Sequence, residues 1–168
     1  MMEVMKVGYD GENKYSMRVY IASSWRNEHA VRMLTERLRA EGLTVLSFIE
    51  NAGSEEHNVR SKKMDFDEWV WGEQGREKFE YDTSAAATCP VTVYISPSGT
   101  DAWTEVGIAW GAGNIVLGLW AKGEPGGLMR RIIHWFDNHA ELIAALKEIR
   151  DARGESLDEG DSLRARRK

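Results

Sequence analysis

The chain is short of several things at once. It has a single cysteine, Cys89, in 168 residues. That excludes an internal disulfide and fits a reducing compartment, so a cytoplasmic location is expected. It has no excess of positive charge: 22 Lys and Arg stand against 27 Asp and Glu, a formal net charge of −5. A nucleic-acid polymer needs a basic surface to neutralise its phosphates, so no such partner is expected. No basic segment leads into an apolar one at the N-terminus, and no secretory signal is expected. The stretch 106–121 is the one suspect for a membrane span. It is shorter than a typical span and is broken by Gly111, Gly113 and Asn114, so no membrane partner is expected. The four histidines, His29, His57, His134 and His139, are scattered, and neither HExxH nor a Cys/His cluster occurs. Metal has no support, and no cofactor is expected. The patterns GxGxxG, GxxxxGK[ST] and GxSxG are all missing.

What is present is enough for one folded domain. Hydrophobic residues make up 42% of the chain. Residues 18–22, 43–49, 90–96 and 115–120 read as strands, and 132–136 as a short fifth. Helices are expected at 27–41, stopped by Gly42, at 66–89 with a break near Gly72 or Gly75, at 101–113, and at 139–151. Residues 51–64 read as a polar loop. Residues 1–17 read as an extension, 18–152 as the domain, and 153–168 as a charged, frayed tail. The strands are continuous apolar runs that alternate with helices. That predicts an α/β fold: a doubly wound parallel sheet of four or five strands, Rossmann- or flavodoxin-like, with helices on both faces. Ligands of such sheets bind at the carboxyl ends of the strands. The loops 23–27, 51–63 and 97–100 therefore matter most.

Between Thr83 and Ala121 only two side chains are charged, Asp101 and Glu105. On a helix over 101–113, Trp103, Val106 and Trp110 form the stripe expected to face the sheet. Asp101 and Glu105 fall on roughly the opposite side with Ile108 and Ala112. Asp101 has a structural reading, since a first-turn acid suits the helix dipole and Ser98-Gly-Thr-Asp101 resembles a capping box. Glu105 lies a turn further in, with no basic residue near it in sequence. It reads either as an exposed or distantly paired helix carboxylate, or as an unpaired carboxylate of raised pKa at a functional site.

VYIASSWRNE in the first strand and its loop, DTSAA at 82–86, and PSGTDAWTEVGIAWGAG together resemble the nucleoside 2-deoxyribosyltransferase-like superfamily. The resemblance runs from about Arg18 to Leu146. Its most specific part is a glycine-containing loop followed by E-x-G-x-A-x-G, here Glu105, Gly107, Ala109 and Gly111. The loop reads S-G-T-D where the family often shows D-S-G-T, and Asn114 replaces a usual lysine, which marks a divergent branch.

The resemblance implies a Rossmann-like fold that cleaves the N-glycosidic bond of a nucleoside or nucleotide, a small-molecule partner. It puts the nucleophile on Glu105 and a catalytic or substrate-binding role on Asp82. Ser23, Ser24, Trp25, Arg26, Ser98, Gly99, Thr100 and Asp101 are the substrate-binding candidates. The serines also suit ordinary turn and cap chemistry. Ser96, Ser98 and Thr100, with Arg26, are placed to receive a 5′-phosphate. Trp25, Trp69, Trp71 and Trp103 are candidates to stack on a base, and Trp103 has a core reading as well. A surrounding of acids without cations suits an oxocarbenium-like transition state. Deoxyribosyl transfer between bases is the leading expectation. Hydrolysis of a nucleoside 5′-monophosphate and non-catalytic nucleotide binding are the alternatives. A homo-oligomer is expected, because relatives often complete their sites across an interface.

Overall fold

The structure is a computed structural model that describes residues 16–165. The expected extension at 1–17 therefore lies outside the described residues, except for its last two positions. Five strands, β1 (Arg18–Ala22), β2 (Thr44–Ser47), β3 (Val91–Ile95), β4 (Ile115–Leu119) and β5 (His134–Phe136), form one sheet in the order β2-β1-β3-β4-β5. Every pairing is parallel. The helices are α1 (Glu28–Ala40), α2 (Ser54–Arg60), α3 (Phe66–Val70), α4 (Glu73–Thr88), α5 (Thr100–Gly111) and α6 (His139–Ala165). Short 3-10 turns occupy Trp25–Asn27 and Leu128–Ile132.

The strands are apolar on both faces because both faces are covered. Val19, Ile21, Val45, Val91, Val93 and Leu117 pack with Val31, Leu34 and Leu38 of α1 and Leu142 and Leu146 of α6. Tyr20, Ala22, Tyr94 and Val116 point the other way, against Ala85 and Ala86 of α4 and Ala102, Val106 and Ala109 of α5. Every residue of β3, the central strand, is buried. Gly42 ends α1 at a φ of +81°, a left-handed position that a side chain would strain. Gly118 in β4 lets β5 close in: a Cβ there would lie 2.6 Å from Ile133 Cγ2.

From β1 the chain winds to β2 on one side and then returns to β3 on the other. The carboxyl ends of β1 and β3 thus flank a topological switch point, the usual ligand position in an open parallel sheet.

Three expectations change. Residues 51–64 are not one loop, since 54–60 form α2. Glu55 and Glu56 lie in its first turn and His57 and Arg60 in its last, which suits the helix dipole. The second strand is shorter than 43–49, ending at Ser47 before a turn. The last helix continues past residue 153 to Ala165 instead of fraying there.

Candidate active site

Helix α5 sets the site. Its buried stripe is Ala102, Glu105, Val106 and Ala109. The expected stripe of Trp103, Val106 and Trp110 is therefore wrong in part, because Trp110 is 59% exposed. Small residues take the inward positions because α5 packs closely on α4 and the sheet, where alanines meet alanines. A tryptophan fits only at the flank. Trp103 is there, 5.1 Å from the Tyr94 ring, and its Nε1 donates to Glu124 Oε1 at 3.0 Å.

Glu105 thus belongs to the inward stripe, with only 8% of its surface exposed. Its Oε2 is buried without a hydrogen-bond partner. Burial pushes its pKa up to about 8, and the negative charge of Asp82 adds to the rise. The Tyr20 hydroxyl and the Lys78 ammonium act in the opposite direction. Asp101, in contrast, is exposed on the first turn. The expected capping box is absent: the N-cap is Gly99, and no side chain caps the helix.

Asp82 comes to Glu105 from α4. Its Oδ1 accepts from the Tyr20 hydroxyl at 3.2 Å and its Oδ2 from Lys78 Nζ at 2.7 Å. Burial raises its pKa, and Lys78 and Tyr20 oppose that rise. Tyr20 also feels Glu105, through charge and through its hydroxyl, and burial holds its own pKa well above the ordinary value. Lys78 corrects the expectation of acids alone. This cation lies outside the charge-poor stretch, one turn before Asp82 on the same helix.

Two more carboxylates were not signalled by sequence pattern. Glu56 of α2 is 6% exposed. Its Oε1 accepts from Trp25 Nε1 at 2.7 Å, and its Oε2 is buried without a partner. Burial raises its pKa, while the charge of Lys78 counters. Glu124 accepts from the Tyr94 hydroxyl at 2.8 Å as well as from Trp103. A polar residue followed by a buried role in another element leaves no periodic trace.

The serine-rich loops are brought together, but mostly for one another. Ser98 Oγ donates to Ile95 O at 2.8 Å and accepts from the Ser24 backbone N–H at 2.9 Å. Ser23 Oγ donates to Ile95 O at 2.9 Å. Asn27 Nδ2 ties the same loops together, donating to Ser23 Oγ at 3.0 Å and Pro97 O at 3.0 Å. Ser96 Oγ accepts from Ala121 N at 2.6 Å. The Ser23 and Ser98 hydroxyls thus fasten the end of β1 to the end of β3, and Ser96 Oγ takes the backbone N–H just beyond β4. Ser24 Oγ differs, being buried and unpartnered. Arg26, Gly99 and Thr100 are exposed. The Trp25 ring is occupied by the Arg60 guanidinium, 3.6 Å from its centroid. Trp71 is 87% exposed, while Trp69 is half-buried with an unpartnered Nε1.

Depressions of about 400 Å³, lined by Val59, Lys62, Lys63, Met64, Asp65 and Phe66, and about 120 Å³, lined by residues of α1 and the β2 end, lie away from Glu105. Among the described residues, no group of three His, Cys, Asp or Glu side chains is placed to hold a metal, and no helix is long and apolar enough to cross a membrane.

No protein-family model matches the chain, and no curated protein sequence does. Solved structures do. The chain is similar to a CMP N-glycosidase, BcmB, of Clostridium botulinum, with 16% identity and a TM-score of 0.50 over 77% of this chain and 98% of that one. It is also similar to a 2-deoxyribosyltransferase of Bacillus psychrosaccharolyticus, with 23% identity and a TM-score of 0.56 over 75% of this chain and 90% of that one. The fold is the nucleoside 2-deoxyribosyltransferase-like fold, as the sequence resemblance implied.

Proposed function

We propose that this protein cleaves the N-glycosidic bond of a nucleoside or nucleotide with Glu105 as nucleophile, and that its reaction is deoxyribosyl transfer between bases. The observation that carries this reading is Glu105 itself: a buried carboxylate beside the β1–β3 switch point, with one oxygen unengaged. A buried carboxylate with no ion pair and one oxygen without a hydrogen bond is costly, and such groups cluster at functional sites. The activities named for the two similar structures, CMP N-glycosidase and 2-deoxyribosyltransferase, fit the same chemistry.

In the proposed reaction a carboxylate oxygen of Glu105 bonds to C1′ from the face opposite the base. The C1′–N bond breaks, its electron pair leaves on the base nitrogen, and that nitrogen takes a proton from water. Positive charge builds on the sugar, and Glu105 and Asp82 are the anions placed to stabilise it. A nitrogen of an incoming base then attacks C1′, loses its proton and expels the carboxylate.

A second reading, hydrolysis of a 5′-nucleotide, draws on the uncapped N-terminus of α5, whose N–H groups favour an anion. Asp101 in that first turn repels phosphate, and the serines are engaged elsewhere. A mixture of a deoxynucleoside and a different free base separates the readings. Appearance of the exchanged nucleoside supports transfer. Free base and free sugar alone, at a rate indifferent to added base, support hydrolysis. Binding without base release from any nucleoside or nucleotide would leave only the non-catalytic module.

A further inference from the structure

Lys78 is a buried cation inside a cluster of acids, with 7% of its surface exposed. Its Nζ is fixed from several directions. It donates to the Phe48 carbonyl, just beyond β2, at 2.8 Å and to Asp82 Oδ2 at 2.7 Å, and it lies 5.5 Å from the Phe48 ring centroid. A side chain held this way has little freedom to reach a ligand. Its charge reaches Glu105 and Glu56 across space, and its one side-chain hydrogen bond to an acid goes to Asp82. The other oxygen of Asp82 accepts from Tyr20, and Tyr20 also faces Glu105. Of Glu56, Asp82 and Glu105, Asp82 is the one with an ion pair.

We propose that Lys78 is a positioning residue: its bond to Asp82 holds that carboxylate as the fixed, charged acceptor of the Tyr20 hydroxyl, so that Glu105 is the acid that gains and loses the proton. The groups that face this pair are Glu56 from α2, Tyr20 from β1, and Glu105 and Asp101 from α5, with Arg60 acting on Glu56. With Asp82 anchored, the Tyr20 hydroxyl is drawn to Asp82, and Glu105 Oε2 stays without a hydrogen bond. Without the cation, a proton settles on Asp82, its hold on the Tyr20 hydroxyl weakens, and that hydroxyl shifts its weight to Glu105, which it already meets, and dulls the nucleophile. The catalytic consequence rests on the reading of Glu105 given above; the order of ionisation does not.

The test follows the side-chain carboxyl carbons by NMR against pH, assigned with Asp82→Asn and Glu105→Gln. In the unaltered protein Asp82 ionises at lower pH than Glu105. In Lys78→Met the Asp82 titration moves up by about 1–3 pH units, the usual effect of a close opposite charge, and Lys78→Arg restores it. Glu105 ionising before Asp82 in the unaltered protein overturns the proposal even if Lys78→Met does not fold. So does an unmoved Asp82 in Lys78→Met. Where base release is measurable, Lys78→Met lowers kcat with KM unchanged and Lys78→Arg recovers it; an unchanged kcat overturns the positioning role. Absence of base release from the unaltered protein removes the N-glycosidic reading alone, because the carboxyl titrations still decide Lys78.

Discussion

At the scale of the residue, Glu105 carries the cost of the site. Its pKa is about 8 when folded, against an ordinary value of 4.5. The folded state therefore holds a proton that the unfolded state has released between those values, and stability falls as pH rises through that window. Glu105→Gln, which has nothing to ionise, should escape the fall. Its advantage over the unaltered protein should be near zero at about pH 4.5 and reach about 2–5 kcal/mol above pH 8, since a tenfold change in proton affinity is worth about 1.4 kcal/mol. Denaturant melts at a series of pH values measure it; a difference independent of pH would mean Glu105 is not buried as described. Activity runs the other way. A nucleophile must be ionised, so kcat/KM for base release should rise with pH to a plateau above about 8. A profile already flat from pH 5 upward would exclude Glu105 as the titrating group. The sequence exposed Glu105 through the scarcity of charge around it and through the E-x-G-x-A-x-G motif. Tyr20 and Lys78 were hidden, because Tyr20 meets Asp82 across 62 positions of chain and Lys78 reads as an ordinary surface lysine in an otherwise charged helix.

At the scale of the element, strands were the easiest to read, because a strand buried on both faces is a plain apolar run. Helix α5 was harder. Its spacing puts Trp103, Val106 and Trp110 on one stripe, whereas close packing on α4 needs alanine inward and sends Trp110 to the surface. Helix α2 was missed because a short, polar helix has no apolar stripe to reveal it. The same contacts that correct α5 also hold it. Glu124 joins Trp103 of α5 to Tyr94 of β3, and the Tyr94 hydroxyl accepts from the Ser98 backbone N–H at 3.1 Å. Glu124→Ala leaves the Trp103 indole N–H and the Tyr94 hydroxyl without an acceptor in a buried place. It should cost about 1–3 kcal/mol of stability and loosen the start of α5, lowering kcat more than it raises KM. A variant as stable as the unaltered protein would show that this network does not anchor the helix.

At the scale of the whole molecule, the doubly wound sheet puts the β1 and β3 ends side by side, and only that juxtaposition lets α4 and α5 present Asp82 and Glu105 to one another. Large apolar side chains remain at the surface, among them Trp71 at 87% and Trp110 at 59% exposed. We expect a homo-oligomer, with sedimentation showing a species heavier than the 19.0 kDa chain; a monomer at all concentrations would remove that expectation. The claim on which the rest depends is that Glu105 bonds to the sugar. Mass spectrometry of protein quenched during turnover of a deoxynucleoside tests it most directly. A mass increase equal to the sugar without its base, mapped to the peptide holding Glu105 and absent in Glu105→Ala, is the expected result. Base release by Glu105→Ala at the unaltered rate, or an adduct on another residue, would contradict it.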